Sequence, residues 1–340
     1  MHLQCSAWGY ICQQSHIILI CAYHKKDAYS VVHAIMNHGL PRGFIMNFQF
    51  FLEKNQELAI RLSFIDFKIF YTGVLSRSDL MEEFGVSEIT ASRIISEYKE
   101  IRADNLYYNQ SEKKFFLNLK DFIPFVELKA EDALFMLANG FDKNRIIKNK
   151  GFIKFERIGV NTNPICNKKV SAITRAIFQG LMISCIYNSA AGRDLSERSI
   201  VPLVILFDGI NWIFRANHPG ANGNVKYKNF NFSRIISVND DGVKVGREYG
   251  LDYDELWNGV VPLDIEIKSD LDKDAKERVR RDYGMADNED KILMTERAAF
   301  VWIMLNQWKI RYSGNKDFLQ DNYLLELKNE EMLKKYGAIP

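Results

Sequence analysis

The chain has 340 residues, 47% of them hydrophobic, 13% aromatic and 26% charged, with a formal net charge of +2. That length predicts two or three domains, because a single core rarely grows far beyond about 250 residues. The balance of charge excludes a general polycation, and the lack of any apolar run of about 18 residues excludes a helical membrane span.

Residues 1–45 differ from the rest. Three of the five cysteines (Cys5, Cys12, Cys21) and five of the six histidines fall there, with Asp27 as the one acidic residue. No Cys-x-x-Cys or His-x-x-x-His pairing supports a metal site, and the short apolar run Ile17 to Ala22 makes a poor signal peptide. The segment reads as an extension outside the fold, with Met46 a candidate start. An odd number of cysteines without zinc-knuckle spacing points to free thiols in a reducing cytoplasm.

From Glu53 to Phe70, Leu58, Leu62, Ile65 and Ile69 recur at helical spacing. Thr72-Gly73 ends that helix, and Ser76 or Ser78 caps a short second one with Leu80, Met81 and Phe84 facing inward. Gly85 makes a tight turn, and Ser87 caps a third helix with the inner stripe Ala91, Ile94 and Tyr98. Two apolar runs, Leu106 to Tyr108 and Phe115 to Leu117, then bracket a polar turn. Helix, short helix, glycine turn, helix and hairpin is the order of a winged helix-turn-helix over residues 46–120.

A reading helix needs short polar side chains at its N-terminal end on the face away from the core. Ser87, Glu88, Thr90, Ser92 and Arg93 are placed there, and Lys113 and Lys114 suit phosphates beside the wing. Charge is not in favour: residues 46–120 carry ten basic against eleven acidic side chains. A module for docking or dimerisation remains the alternative.

Residues 121–162 read as a linker with a short helix from about Ala130 to Leu137. Lys169 to Gln179 is a helix leading into residues 163–245, a series of short apolar runs each interrupted by a polar or cationic residue. Asp208-Gly209 between two of them predicts a two-residue hairpin turn. Between Asn161 and Asp240 there are nine Lys/Arg and four Asp/Glu. Tyr187, Ser189, Arg198, Arg215 and Arg234 fall near strand ends or edges, where arginines suit bidentate recognition of phosphate or carboxylate. Strand-edge charges that block aggregation, or internal ion pairs, are the alternative reading.

Residues 246–315 predict a small α+β domain. It has a turn at Asp254 to Asn258, an alternating strand from Val261 to Lys268, a charged helix from Asp272 to Tyr283, a strand from Lys291 to Met294 and an apolar helix from Ala298 to Ile310. Asp264, Glu266 and Lys268 superficially imitate a nuclease metal triad, but strict alternation gives all three the solvent face of the strand. The tail, residues 316–340, predicts an amphipathic helix with the stripe Leu319, Tyr323, Leu324 and Leu327.

These blocks together resemble the WYL-domain transcriptional regulators, and more narrowly the BrxR and CapW type found beside phage-defence operons. The resemblance covers about residues 50 to 312. It is carried by Ser76 to Met81 and Phe84 to Tyr98 in the winged helix. In the centre it is carried by Ile186 to Ser189, Arg198 to Pro202, Phe207 to Trp212, Arg215-Ala216 and Phe230 to Ile235. Trp257-Asn258 and Asp282 to Met285 carry it in the C-terminal part.

The resemblance implies an α+β protein: an N-terminal winged helix-turn-helix, a central Sm-like bent β-sheet or barrel (the WYL domain) and a small C-terminal α+β (WCX) domain. It implies a homodimeric repressor that binds double-stranded DNA at an inverted repeat. A nucleotide or short nucleic acid would control it from a pocket at Tyr187, Ser189, Arg198, Trp212, Arg215 and Arg234. Ile213 departs from the family, which has a polar residue there, and His218 just beyond is a candidate substitute. A nucleic-acid sensor without operator specificity, or a nuclease, are the other readings. No cofactor or metal is expected.

Overall fold

The computed structural model describes residues 48–148, 153–154, 165–189, 195, 197–219, 225–314 and 323–340. Residues 1–45, with their cysteines and histidines, lie outside the described residues. Two compact units divide the rest: one holds residues 48–154 and Cys166–Arg175, the other runs from Ala176 onward.

The first unit opens with helices α1 (Phe48–Lys54) and α2 (Gln56–Thr72). Asn55 divides what the apolar spacing reads as one helix: its side chain accepts the Leu58 N–H at 3.0 Å and starts α2 afresh. Leu62, Ile65 and Ile69 are fully buried as the spacing requires, each contributing roughly 1.5–3 kcal/mol. Strand β1 (Val74–Leu75) leads to α3 (Arg77–Phe84), which Ser76 starts with a capping box. Ser76 N–H donates to Asp79 at 2.7 Å, and Asp79 N–H donates to Ser76 Oγ at 3.3 Å. Leu80 is buried, but Met81, expected inward, is exposed. A helix of eight residues offers only one narrow inner face, and Leu80 fills it with Phe84, which stands edge-on to Phe64 at 5.4 Å.

Gly85, at φ +62°, turns the chain into α4 (Glu88–Ile101). Ala91, Ile94, Ile95 and Tyr98 line the buried side of α4. Strands β2 (Leu106–Asn109) and β3 (Lys114–Leu117) form the wing, with β1 added in the order β1-β3-β2. The unit is thus a winged helix. Its core holds one carboxylate, Asp66 on α2, which accepts Tyr98 O–H at 2.6 Å, Phe125 N–H at 3.0 Å and Val126 N–H at 3.3 Å. The start of the segment read as a linker is therefore pinned to the winged helix. Helices α5 (Ala130–Asn139) and α6 (Lys143–Ile147) follow. The early part of α7 (Asn167–Gln179) docks on the end of α2, where Thr174 Oγ1 donates to Tyr71 O and Arg175 Nη1 to Phe70 O, both at 2.8 Å.

The second unit holds two sheets. The first has β4 (Leu181–Tyr187), β5 (Glu197–Phe207), β6 (Trp212–Pro219), β7 (Val225–Asn231) and β8 (Ile235–Lys244), in the order β7-β6-β5-β4-β8. β5 changes partner along its length. Glu197 to Ile200 pair with β4, Val201 to Phe207 with β6, and the register slips between Pro202 and Val204. This slip bends the sheet. Among the described residues it stays open, with β7 and β8 as its edges. The β5–β6 turn falls one residue later than Asp208-Gly209 suggests. Gly209 and Ile210 are its centre, Asp208 N–H donates to Asn211 O at 3.2 Å, and only Gly209 has positive φ.

The second sheet has β9 (Val260–Ile267), β10 (Lys291–Arg297), β11 (Ile310–Arg311) and β12 (Leu325–Leu327), in the order β10-β9-β12-β11. Helices α8 (Glu255–Asn258), α9 (Lys273–Asp282), α10 (Val301–Gln307) and α11 (Glu330–Tyr336) accompany it. Leu263, Ile265, Leu305, Ile310, Leu325 and Leu333 form its core. The tail is not one helix: Leu325 and Leu327 lie on β12, paired with Ile267 and Ile265, and the helix begins only at Glu330. Leu319 lies outside the described residues. On the outer face of β9, Lys291 Nζ reaches Asp264 at 2.8 Å and Lys328 Nζ reaches Glu266 at 3.7 Å. These are cross-strand ion pairs, which accounts for the false metal triad. No helix among the described residues is long and apolar enough to cross a membrane.

Candidate functional site

The winged helix presents α4 and the wing. Ser87 caps α4, accepting Thr90 N–H at 3.3 Å, and its hydroxyl also meets Thr90 Oγ1 at 3.0 Å. Ser87 and Thr90 thus hold the start of the helix together. Ser92 does not stand free on the outer face. It is half-buried, and its hydroxyl accepts Arg77 Nε–H at 2.9 Å. Arg77, not singled out from the sequence, also lies over the Tyr108 ring of the wing at 5.9 Å, so it ties α3, α4 and β2 at one point.

Arg93 is the prominent cation of the outer face, with a side chain 62% exposed and only a loose 3.6 Å approach to Glu97. Lys113 and Lys114 are exposed where the wing turns. Asn109 shapes that turn by accepting Ser111 N–H at 2.9 Å and Glu112 N–H at 3.2 Å, while Lys113 takes the left-handed conformation at φ +54°. The near-even charge count of the winged helix carries through to its surface, because buried Asp66 is offset by buried Arg102 and Asp79 is paired with Lys68 at 3.0 Å.

In the second unit, a hollow of about 450 Å³ lies between the bent sheet and α10. Tyr187 and Arg234 line it from the sheet side, with Ile213; Trp302, Asn306 and Lys309 close the other side. The Tyr187 hydroxyl accepts Asn231 N–H at 3.0 Å, and its ring stands edge-on to Phe230 at 5.0 Å. Arg198 stacks over Tyr187 at 5.5 Å, and Ser189 is half-buried just past the end of β4. Burial of the neighbouring Cys185 pushes its thiol up to about 11, so it stays protonated. Arg234 ends a short 3₁₀ turn, exposed and with no ion-pair partner among the described residues.

Of the six expected ligand residues only Tyr187 and Arg234 line the hollow; Ser189 and Arg198 lie beside it, and two more are buried elsewhere. Arg215 is only 2% exposed. Its Nε and Nη2 grip both oxygens of buried Asp254, the second at 2.8 Å, and Nη1 donates to Asn229 at 3.1 Å. It joins the sheet to the cap of α8 and offers nothing to an anion. Trp212 is buried against Phe207 at 4.9 Å. His218, the candidate substitute, lies on β6 with Nδ1 3.3 Å from Pro219 O and does not line the hollow. Burial lowers its basicity, so it is a poor cation.

The residues missed from the sequence are those of α10. An apolar helix interrupted by Trp302, Asn306 and Gln307 was the available signal: these side chains have no place in a core stripe.

Two stretches match models of known families. Residues 57–139 match the BrxR transcriptional regulator winged helix-turn-helix domain, and residues 260–333 match the BrxR transcriptional regulator C-terminal dimerization domain. In both blocks the chain matches BrxR/CapW-type regulators. Among curated relatives, the DNA-binding transcriptional repressor CapW of Escherichia coli (strain KTE188) is 29% identical over 236 residues, 67% of this chain and 76% of that one. The CapW of Stenotrophomonas maltophilia is 24% identical over 81% of this chain and 91% of that one, and the Pseudomonas aeruginosa protein 25% over 81% and 90%. Among solved structures, proteasome accessory factor B/C of Arthrobacter aurescens is 15% identical. That match covers 83% of this chain but 47% of that one, at a TM-score of 0.23, too low to bear on the fold.

Proposed function

We propose that this chain is a homodimeric transcriptional repressor of a phage-defence operon. Its two winged helices would take successive half-sites of an inverted repeat, with Arg93 and the start of α4 in the major groove and Lys113 and Lys114 on flanking phosphates. A nucleotide or short nucleic acid bound at the hollow would control it. Arg234 and Lys309 suit a phosphate, and Trp302 suits a base. Such a ligand alters repression only if it binds one arrangement of the dimer better than the other.

The observation that carries the reading is the pairing of a winged helix at residues 57–139 with a dimerization domain at 260–333. A dimer of reading heads is what a two-fold symmetric operator requires. A gel shift on the DNA upstream of the gene, with scrambled duplex as control, tests it. Preferential retardation of the upstream DNA, relieved by a short oligonucleotide, is the expected result. Equal affinity for both duplexes defeats operator binding, and retardation insensitive to any nucleotide or oligonucleotide defeats the control.

A further inference from the structure

We infer that Ile89 reads the methyl group of a thymine in the major groove. The inference rests on the DNA-binding reading above and names one base that α4 selects. Ile89 is the second residue of α4 and is 84% exposed, whereas Ile94 and Ile95 on the same helix are buried. Glu88, Arg93 and Ser96 around it are exposed and polar, so Ile89 is a single aliphatic group on a polar face. Nothing in the helix itself calls for it. A β-branched residue is a weaker helix former than alanine or glutamate, and exposure gives no burial in return.

The apolar feature that base edges offer to a helix in the major groove is the thymine C5-methyl. The N-terminal turn of a reading helix is the part that reaches base edges, and Ile89 sits in that turn. Arg93 follows at i+4 and so stands on the same side of α4. The two side chains are about 6 Å apart along the axis, or roughly two base-pair steps. A half-site should therefore carry a thymine about two steps from the base or phosphate that Arg93 takes.

The test uses the full chain and a random duplex library. Sequences retained by the protein define a consensus, and each consensus thymine is then replaced singly by deoxyuridine, which removes only the methyl. One replacement per half-site should weaken binding about fourfold, the size expected for one buried methyl-sized group. The Ile89→Ala protein should bind the thymine and uracil duplexes equally, with a melting temperature unchanged from wild type. Wild-type indifference to every thymine-to-uracil exchange overturns the inference while leaving DNA binding intact. So does discrimination that survives in Ile89→Ala. A library that yields no consensus overturns the DNA reading itself, and the inference with it.

Discussion

Asp66 is a carboxylate with three hydrogen-bond donors aimed at it and no solvent around it. Burial is the larger effect and pushes it up to about 6, against the Tyr98 hydroxyl, the Phe125 and Val126 amides and nearby Arg102, all of which favour the charge. In the unfolded chain it titrates near 3.8. Between those values the folded protein holds the extra proton, so stability from this group is fullest below pH 3.8 and falls as pH rises through about 6. The loss is about 3 kcal/mol. Urea unfolding at several pH values should show this slope in wild type and not in Asp66→Asn. The buried Arg215–Asp254 pair behaves differently. Arg215→Ala or Asp254→Ala leaves a partner buried and unpaired, and each should lower stability by roughly 3–5 kcal/mol in the same measurement. The sequence could suggest Arg215 as an anion contact because strand arginines often are. Its partner lies 39 residues on, at the cap of a one-turn helix read as a bare turn.

The winged helix was legible element by element, since its punctuation is local. Ser76, Gly85 and Ser87 each mark a boundary by their own chemistry, and the buried stripe of α4 follows from spacing alone. Three elements were not legible, the first because apolar spacing masks a local cap and the other two because distant partners decide them. Asn55 restarts a helix that apolar spacing runs through. Leu324, Leu325 and Leu327 fit a helical stripe as well as a strand, and only pairing with β9 decides between them. Trp302 and Asn306 on α10 become site residues only when the chain brings them across from β4 and β6. The wing has its own test. Lys113 and Lys114 are exposed on the wing and not on α4, so replacing both by alanine should weaken all duplexes alike. The slope of log affinity against log salt should shrink by about two per protomer, or about four for the dimer, with sequence preference kept. A change of preferred sequence would show that the wing reads bases.

For the molecule as a whole, the hollow is shared by the sheet and by the helix of the dimerization domain, both within one compact unit. Arg234→Ala should weaken a short single-stranded oligonucleotide about tenfold, through loss of one charge-assisted contact, without moving the urea midpoint. Quenching of Trp302 fluorescence, absent in Trp302→Phe, reads the binding directly. The order of the second sheet has a further consequence. β12, at residues 325–327, lies between β9 and β11. The middle rung of this sheet is thus synthesised after both of its neighbours. While the ribosome is still making it, the winged helix can already be folded, but the block that matches the dimerization model cannot yet close its sheet. On the proposed dimer, newly made heads would be solitary, and a two-headed grip on DNA would wait until a chain has been translated beyond this strand. Premature stops upstream of it would release single heads that compete only feebly with intact pairs.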